Sequence, residues 1–247
     1  MRRIRNVLFV GFLLSGAASY FMRDNVRSVA AIHPEALAEP LQTVATNTSV
    51  CEFTRNGYRY SVAPRYDYRI TGLLVRKKVY GWWVIDRAEK VFPVDLCLLW
   101  GDNLRNNVHR EPSVKFAQDC RWCWVRWKGN VPFNPRQMSN NHLLPADDRV
   151  EASIKRLHPG DQICLRGQLV NVNARLLDKG GRYDSEAVTW NSSVTRDDSG
   201  DGACEVIYVR EVELLQPANQ TARNLFRACL GGAAAMSLLG LIKIFRP

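Results

Sequence analysis

An apolar run at each end of the chain most constrains what this sequence can fold into. The C-terminal run covers residues 225–245, and Arg227 and Lys243 lie near its two ends. As a helix, this run would span roughly 30 Å, which matches the hydrocarbon core of a bilayer. Long basic side chains near its ends can reach the membrane interface. We therefore predict a C-terminal transmembrane helix. The alternative is a buried helix, but the run has no polar face.

The N-terminal run covers residues 7–22 and follows three basic residues, Arg2, Arg3 and Arg5. This pattern predicts an uncleaved membrane anchor of near-minimal length. A cleavable signal peptide is the close alternative, because small residues at 17–19 would suit a cleavage site. An organellar transit peptide is a third interpretation, since no acidic residue precedes Asp24.

Both apolar runs carry small residues four positions apart, which share one face of a helix. These are Gly11 and Ser15 in the first run, and Gly231 and Ala235 in the second. Small residues at this spacing let membrane helices approach closely, so we expect helix packing through them. The alternative is that Gly and Ala are simply frequent in membrane helices.

The two runs divide the chain into four parts. Residues 1–22 are a membrane anchor or signal peptide, and residues 23–50 are a linker. Residues 51–217 form an all-β extracytoplasmic domain, and residues 218–247 form a C-terminal transmembrane helix with its tail. More arginines precede the first run than follow it, which favours a cytoplasmic N-terminus. We expect an inner-membrane protein with its main domain in the periplasm. The mitochondrial inner membrane, with the domain facing the intermembrane space, is the alternative.

The formal net charge of +10 does not by itself indicate a nucleic-acid-binding protein. Six basic residues lie in or beside the apolar runs, and removing them from the 34 leaves 28 in residues 23–224, against 24 acidic residues. The high isoelectric point therefore comes largely from the flanks of the membrane segments. A surface for a polyanion remains an alternative, and nucleic acid is not the expected partner.

The domain is organised around residues 160–215. Ile163, Leu165 and Leu169 alternate with polar residues, which predicts a half-buried strand, and Gly167 marks an expected bulge or bend. Residues 204–215 alternate again and predict a second strand. We expect the segment between them to be a long polar excursion.

Other stretches rich in β-branched and aromatic residues predict further strands, at residues 66–75, 79–85, 94–100 and 120–128. Alternation along residues 120–128 predicts one face with Cys120, Trp122 and Trp124 and another with Cys123, Val125 and Trp127. A solvated turn is expected at 76–78, a loop at 102–119 and irregular structure at 132–145. One soluble helix is predicted at 148–157, with Asp147 as its cap. The fold class is thus mainly β: a small antiparallel barrel or sandwich with one short helix, flanked by N- and C-terminal membrane helices. The pattern of elements resembles that of an OB-like barrel.

Six of the seven cysteines lie between the apolar runs: Cys51, Cys97, Cys120, Cys123, Cys164 and Cys204. An even number in an exported domain is compatible with up to three disulfides, and the pairing cannot be deduced from the sequence. The alternative is that they are small buried side chains. Cys120 and Cys123 also form a CxxC pair, so a thiol–disulfide protein is one alternative function.

Basic and aromatic residues on the predicted strands form a possible binding surface, namely Arg76, Lys77, Lys78, Trp82, Trp83, Trp122 and Trp124. Such aromatic side chains can stack on bases or sugars, which would make the domain an OB-type binder of a polyanion or glycan. Core packing is the commoner role of aromatic residues on strands.

No motif in the chain indicates catalysis, so we predict a protein that is not an enzyme and has no cofactor, metal site or catalytic residue. Cys204 and His142 are of the types that form nucleophilic sites, but any chain with four His and seven Cys offers such pairs. The expected function is a non-catalytic membrane-anchored subunit or assembly factor of a membrane protein complex. Its expected partners are the membrane and other subunits, and self-association is a further expectation.

Overall fold

A computed structural model describes residues 2–81, 91–119, 121–177, 183–198, 200 and 202–245. The predicted strands at 79–85 and 120–128 therefore fall partly outside the described residues. The chain is mainly β with few helices, as predicted. Its helices are α1 (Arg2–Met22), α2 (Asp102–Arg105), α3 (Asp148–Arg156) and α4 (Gln220–Phe245).

Eight of the ten described strands form one sheet. The strands are β1 (Leu41–Val44), β2 (Cys51–Arg55), β3 (Tyr58–Val79), β4 (Val94–Leu99), β5 (Lys115–Asp119), β6 (Trp122–Arg126), β7 (Met138–Pro145), β8 (Gln162–Leu177), β9 (Tyr183–Trp190) and β10 (Glu205–Gln216). The order is β1-β3-β4-β7-β10-β8-β9, with β2 on β3 and a further pairing of β3 with β8, while β5 and β6 form a separate hairpin. β7 and β10 are parallel, and the other described pairs are antiparallel.

The long strand β3 corrects the prediction of a turn at residues 76–78. Arg76, Lys77 and Lys78 continue the strand and pair in register with Cys97, Leu96 and Asp95 of β4. Three charges in a row suggested a solvated turn, but the strand places their side chains on alternate faces, where each finds its own partner. The expected break between 75 and 79 was therefore wrong.

Three further segments are more ordered than the sequence indicated. The predicted irregular segment at 132–145 contains β7, and the polar excursion between the last two strands contains β9. The predicted loop at 102–119 contains α2 and β5. β7 pairs with the distant strands β4 and β10, whereas β5 and β9 each pair with a strand next to them in the chain, β6 and β8. Pairing thus orders segments whose local propensity is weak.

The segment at 23–50, predicted as a linker, is packed against the sheet. β1 pairs with β3 between Leu41 and Arg69 and onward to Val44 and Tyr66. Val29 and Ala36 are buried in the same cluster as Leu73 and Leu99 of the sheet. The segment therefore belongs to the domain, and its two prolines interrupt regular structure without freeing the chain.

The predicted bulge near Gly167 is confirmed as a feature of the sheet, although the extra residue lies on the partner strand. The register between β8 and β10 shifts between Val209 and Glu211, opposite Gly167 and Arg166. A Cβ on Gly167 would lie 2.0 Å from the backbone oxygen of Tyr208. Because that distance is far below van der Waals contact, only glycine fits where these strands meet.

The predicted soluble helix is present as α3. The side chain of Asp147 accepts a hydrogen bond from the backbone N–H of Val150, 2.8 Å away, and so caps its N-terminus as expected. Lys77 Nζ donates to the backbone oxygens of Lys155 and Leu157 at its other end. A cation from β3 thus satisfies carbonyl groups that the last helical turn leaves unpaired.

Helices α1 and α4 pack side by side in antiparallel directions. Tyr20 lies against Phe226 near the domain, and a Cβ on Gly232 would meet the ring of Phe12 halfway along. A Cβ on Gly240 would lie 3.5 Å from the guanidinium of Arg5 at the far end. The two ends of the chain are therefore joined by one helical hairpin.

Within the described residues, α1 is the one helix that is long and apolar enough to cross a membrane. The described part of α4 is not clearly apolar, because Arg223, Asn224 and Arg227 lie in its first turns. The N-terminal helix is thus the better-supported candidate span, which reverses the ranking drawn from the sequence.

Candidate functional site

The hairpin of β5 and β6 presents the tryptophans that the sequence singled out. Trp122 and Trp124 project to solvent with 46% and 41% of their surface exposed. Cys123 and Val125 point the other way and pack on the buried cluster around Leu99. The predicted alternation is therefore confirmed for residues 122–125. It is wrong for Trp127, which was expected on the face of Cys123 and Val125 but lies beyond β6 with 45% of its surface exposed. Exposed large aromatic side chains of this kind are typical of contact surfaces.

A disulfide fixes this hairpin to the sheet. Cys123 is bonded to Cys97 of β4, with a Cα–Cα distance of 6.1 Å. Cys123 is thus bonded to a residue 26 positions away rather than to Cys120, which lies outside the described residues. In this state the CxxC pair is not a dithiol, and the bond serves to hold the hairpin in place.

The other four described cysteines are free and differ in their exposure. Cys164 and Cys229 are buried, Cys204 is partly buried and Cys51 is exposed. Among the described residues, one of the three disulfides that the sequence allowed is therefore present. Cys164 lies beside Arg69, whose Nε is 3.3 Å from its sulfur.

The three basic residues predicted as a common surface are divided between two faces of β3. Arg76 Nε donates to the backbone oxygen of Phe116 at 2.7 Å, and Lys78 Nζ lies 3.8 Å from Asp119 on the same hairpin. Lys77 faces α3 instead, and burial lowers the pKa of its ammonium group. Trp82 and Trp83 lie outside the described residues, so the predicted surface is represented here by Arg76, Lys78 and the hairpin tryptophans.

A buried polar cluster lies beneath the hairpin, and sequence reasoning missed most of it. Asp95 is fully buried, with Arg121 Nη1 at 2.6 Å from one oxygen and the hydroxyl of Tyr80 at 2.8 Å from the other. His142 Nδ1 lies 3.0 Å from Asp95 Oδ1, and its ring stacks on Phe92. The available signal was an acidic residue inside the apolar run VDLCLL. The arrangement anchors residue 121, whose positive φ of 72° turns the chain between β5 and β6.

The geometry around Cys204 does not suit a nucleophile. Asn140 donates a hydrogen bond to its sulfur at 3.2 Å, and burial raises the pKa of the thiol to about 11. A thiol with that pKa is almost entirely protonated at neutral pH, whereas nucleophilic cysteines have lowered pKa values. Cys204, one residue before β10, therefore forms a structural contact with Asn140 of β7.

Residues predicted to pack the membrane helices do not form the contact between α1 and α4. Around Gly11 and Gly231, no atom lies within 4 Å of where a Cβ would be, and Ser15 and Ala235 are also exposed. The helices approach each other through Gly16, beside Cys229, and through Gly232. The face with Gly11 and Ser15 and the face with Gly231 and Ala235 thus remain open, and their packing against other helices stays a prediction.

No group of three His, Cys, Asp or Glu side chains suited to a metal ion occurs among the described residues. Comparison of the chain with protein-family models, curated protein sequences and solved structures finds no match.

Proposed function

We propose that this chain is a non-catalytic, membrane-anchored subunit or assembly factor of a membrane protein complex. In this proposal, α1 and α4 span the membrane as a hairpin, and the β domain binds a partner protein. The supporting observation is the outer surface of the helical hairpin formed by α1 and α4. Of 22 exposed large apolar side chains among the described residues, nine lie on α1 and four on α4. Such a concentration of exposed apolar surface is typical of contact with lipid or with other membrane helices.

The antiparallel packing supports one orientation of this hairpin. The N-terminus of α1 and the C-terminus of α4 lie at the end far from the domain, where Arg2, Arg3, Arg5 and Lys243 occur. Basic residues concentrate on the cytoplasmic side, so the domain would lie on the opposite side. We propose a periplasmic domain, with the mitochondrial intermembrane space as the alternative.

We also propose that the domain is an OB-like barrel. β3 pairs with both β4 and β8, and the neighbours β4, β7, β10 and β8 follow one another, so the pairings return to β3. α3 lies between β7 and β8 in the chain. Five strands with this order and one inserted helix support an OB-like arrangement.

Membrane anchoring is tested by extraction and protease protection on the full chain in isolated membranes. If α1 and α4 both span the bilayer, the protein resists alkaline carbonate. Protease added on the side of the domain then digests the domain but leaves a C-terminal tag intact, because the tag lies on the other side of the membrane. Release by carbonate, or digestion of tag and domain from the same side, would contradict the proposal.

We propose that partner binding uses the exposed face of the β5–β6 hairpin, since tryptophan is enriched at the centres of protein interfaces. Replacing Trp122 with Ala removes a large exposed side chain without disturbing the buried face. We expect Trp122→Ala to remove a stoichiometric partner from the complex purified in mild detergent. Leu214→Ala is the matched control, because Leu214 is 48% exposed on β10. If both variants lose the partner equally, or if neither loses it, the β5–β6 hairpin is not the contact surface.

Binding of a polyanion or glycan is the second candidate. It is favoured by the guanidinium of Arg126, which lies 4.4 Å from the centroid of the Trp124 ring and could support stacked ligands. Binding of heparin to the full chain should then weaken as salt rises and weaken further in Trp124→Ala. Salt-independent binding, or none, would remove this candidate.

A further inference from the structure

A cavity of about 440 Å³ lies next to the domain-side end of α1. Its lining includes residues 24–27, Val75 and Arg76 of β3, and residues of the hairpin of β5 and β6. Its volume falls in the range of roughly 300–1,000 Å³ that is typical of small-molecule sites. Because α1 ends at Met22, the cavity begins two residues beyond the apolar helix. In the membrane arrangement proposed above, it lies at the level of the lipid headgroups.

Positive charge dominates the lining of this cavity. Four cationic side chains line it, those of Arg27, Arg76, Lys115 and Arg126. Among the described residues, none of the four forms an ion pair with a carboxylate. Asp24 is the one acidic residue that the described part of the chain contributes to the lining, and it lies 3.3 Å from both Arg23 and His158. The cavity therefore carries a surplus of positive charge.

Two of these cations are held in place by backbone carbonyl groups. Arg27 Nη2 donates to the oxygens of Pro112 and Val114, at 3.0 and 3.2 Å. Arg76 Nε donates to the oxygen of Phe116 at 2.7 Å. Neutral carbonyls orient the guanidinium groups without neutralising them. Their remaining N–H groups are suited to the oxygens of a phosphate.

A buried histidine adds a hydrogen-bond acceptor to the lining. His109 is almost fully buried, and its Nε2 lies 2.9 Å from the backbone oxygen of Val29. Since that oxygen can only accept, Nε2 carries the proton, and burial lowers the pKa of the ring and keeps it neutral. Nδ1 then has a free lone pair, and it has no hydrogen-bond partner among the described residues. It can accept from a ligand hydroxyl.

We propose that this cavity binds the headgroup of an anionic phospholipid, with its phosphate among the four cations and a headgroup hydroxyl donating to His109 Nδ1. Trp124 lines the same cavity, and tryptophan is enriched at the membrane interface. A phosphatidylglycerol headgroup has both the phosphate and the hydroxyls that the lining requires. The proposal rests on the membrane-anchored function, because it places the cavity at the bilayer surface.

The test uses the full chain in a neutral detergent, with native mass spectrometry to count bound lipid. Equal amounts of phosphatidylglycerol and phosphatidylcholine are added to wild type and to two double variants. Lys115→Gln/Arg126→Gln removes two exposed charges of the lining. Arg65→Gln/Lys128→Gln removes two exposed charges that do not line the cavity. Thermal melting checks that both double variants fold. If Lys115→Gln/Arg126→Gln does not fold, Lys115→Gln alone replaces it.

We expect wild type to retain phosphatidylglycerol in preference to phosphatidylcholine. Lys115→Gln/Arg126→Gln should weaken that binding about tenfold or more, while the control variant behaves as wild type. Equal retention of the two lipids, or equal loss in both variants, would overturn the proposal. Displacement of the lipid by inorganic phosphate as readily as by short-chain phosphatidylglycerol would assign the cavity to free phosphate instead. Carbonate extraction of wild type separates a failure of this proposal from a failure of membrane anchoring.

Discussion

Arg223 Nη1 lies 2.7 Å from Asp161 Oδ1, and this buried ion pair joins the start of α4 to the turn before β8. The same guanidinium donates to the backbone oxygens of Arg23, just after α1, and of Pro159. Asp161 in turn accepts from the backbone N–H of Ala218. Arg223 therefore connects both α1 and α4 to the β domain.

Replacing Arg223 with Ala should destabilise the protein, because it leaves the Asp161 carboxylate buried without its cation. Loss of one partner of a buried ion pair costs about 3 kcal/mol or more. For a chain of this length, this corresponds to a melting temperature lower by about 10 °C. Thermal unfolding in mild detergent measures the shift. Arg227→Gln, at an exposed position of α4, is the control, and an equal shift in both variants would show that the ion pair contributes little.

The disulfide between Cys97 and Cys123 should stabilise the domain by closing a loop in the unfolded chain. For a separation of 26 residues, chain entropy predicts about 3.5 kcal/mol. Cys123→Ala should lower the urea midpoint accordingly. Reducing agent should lower the wild-type midpoint to that of the variant and leave the variant itself unchanged. A wild-type midpoint that does not respond to reduction would mean that the bond is absent or energetically neutral.

Cys204 should be unreactive in the folded protein, since burial raises the pKa of its thiol to about 11. At pH 8, only about 0.1% of such a thiol is thiolate. Iodoacetamide should therefore modify the exposed Cys51 under native conditions and reach Cys204 only after unfolding. Peptide mapping by mass spectrometry distinguishes the two. Rapid native labelling of Cys204 would reopen the possibility of a nucleophilic site.

Glu205 should make stability fall as pH rises from about 4.5 to about 7. Burial raises the pKa of its carboxyl to about 7, against the opposing effect of Arg196 at 2.6 Å. In that pH window the folded state holds a proton that the unfolded state has lost, so its stabilising effect disappears as pH increases. The change amounts to about 3 kcal/mol. Because glutamine stays neutral, the unfolding free energy of wild type should fall relative to that of Glu205→Gln by this amount as pH rises across the window, as measured by urea denaturation. A constant difference would contradict the raised pKa.

The sequence predicted the elements whose local pattern agrees with their surroundings. Ile163, Leu165 and Leu169 are buried in β8 as predicted, but Cys164 and Gln168 are buried too, so the expectation of a half-buried strand was wrong. Asp147 caps α3 as its position before the helix indicates. The exposed face of β6 also followed from alternation. In these cases, periodicity or a cap residue carries the information within a few positions.

Other elements depend on residues far along the chain and were missed. β7 contains the buried polar residues Asn140, Asn141 and His142, which local propensity assigns to irregular structure. They become compatible with a strand because distant groups satisfy them: Asn141 Nδ2, for example, donates to the backbone oxygen of Leu96. The pairing of Cys97 with Cys123 likewise depends on the approach of the hairpin to β4. The cavity beside α1 is also formed by five separate segments of the chain, so no local sequence motif predicts it.

The central claim is that α1 and α4 form one antiparallel hairpin in the membrane, and a crosslink tests it most directly. A Cβ on Gly16 would lie 3.3 Å from the Cβ of Cys229, whereas no atom lies within 4 Å of a Cβ on Gly11. Adjacent Cβ atoms at about 3.5–4.5 Å permit a disulfide after slight adjustment. In carbonate-washed membranes treated with a mild oxidant, Gly16→Cys should therefore become crosslinked to Cys229, and Gly11→Cys should not. Absence of the Gly16→Cys crosslink in a membrane-embedded chain, or an equal crosslink from both variants, would contradict the hairpin.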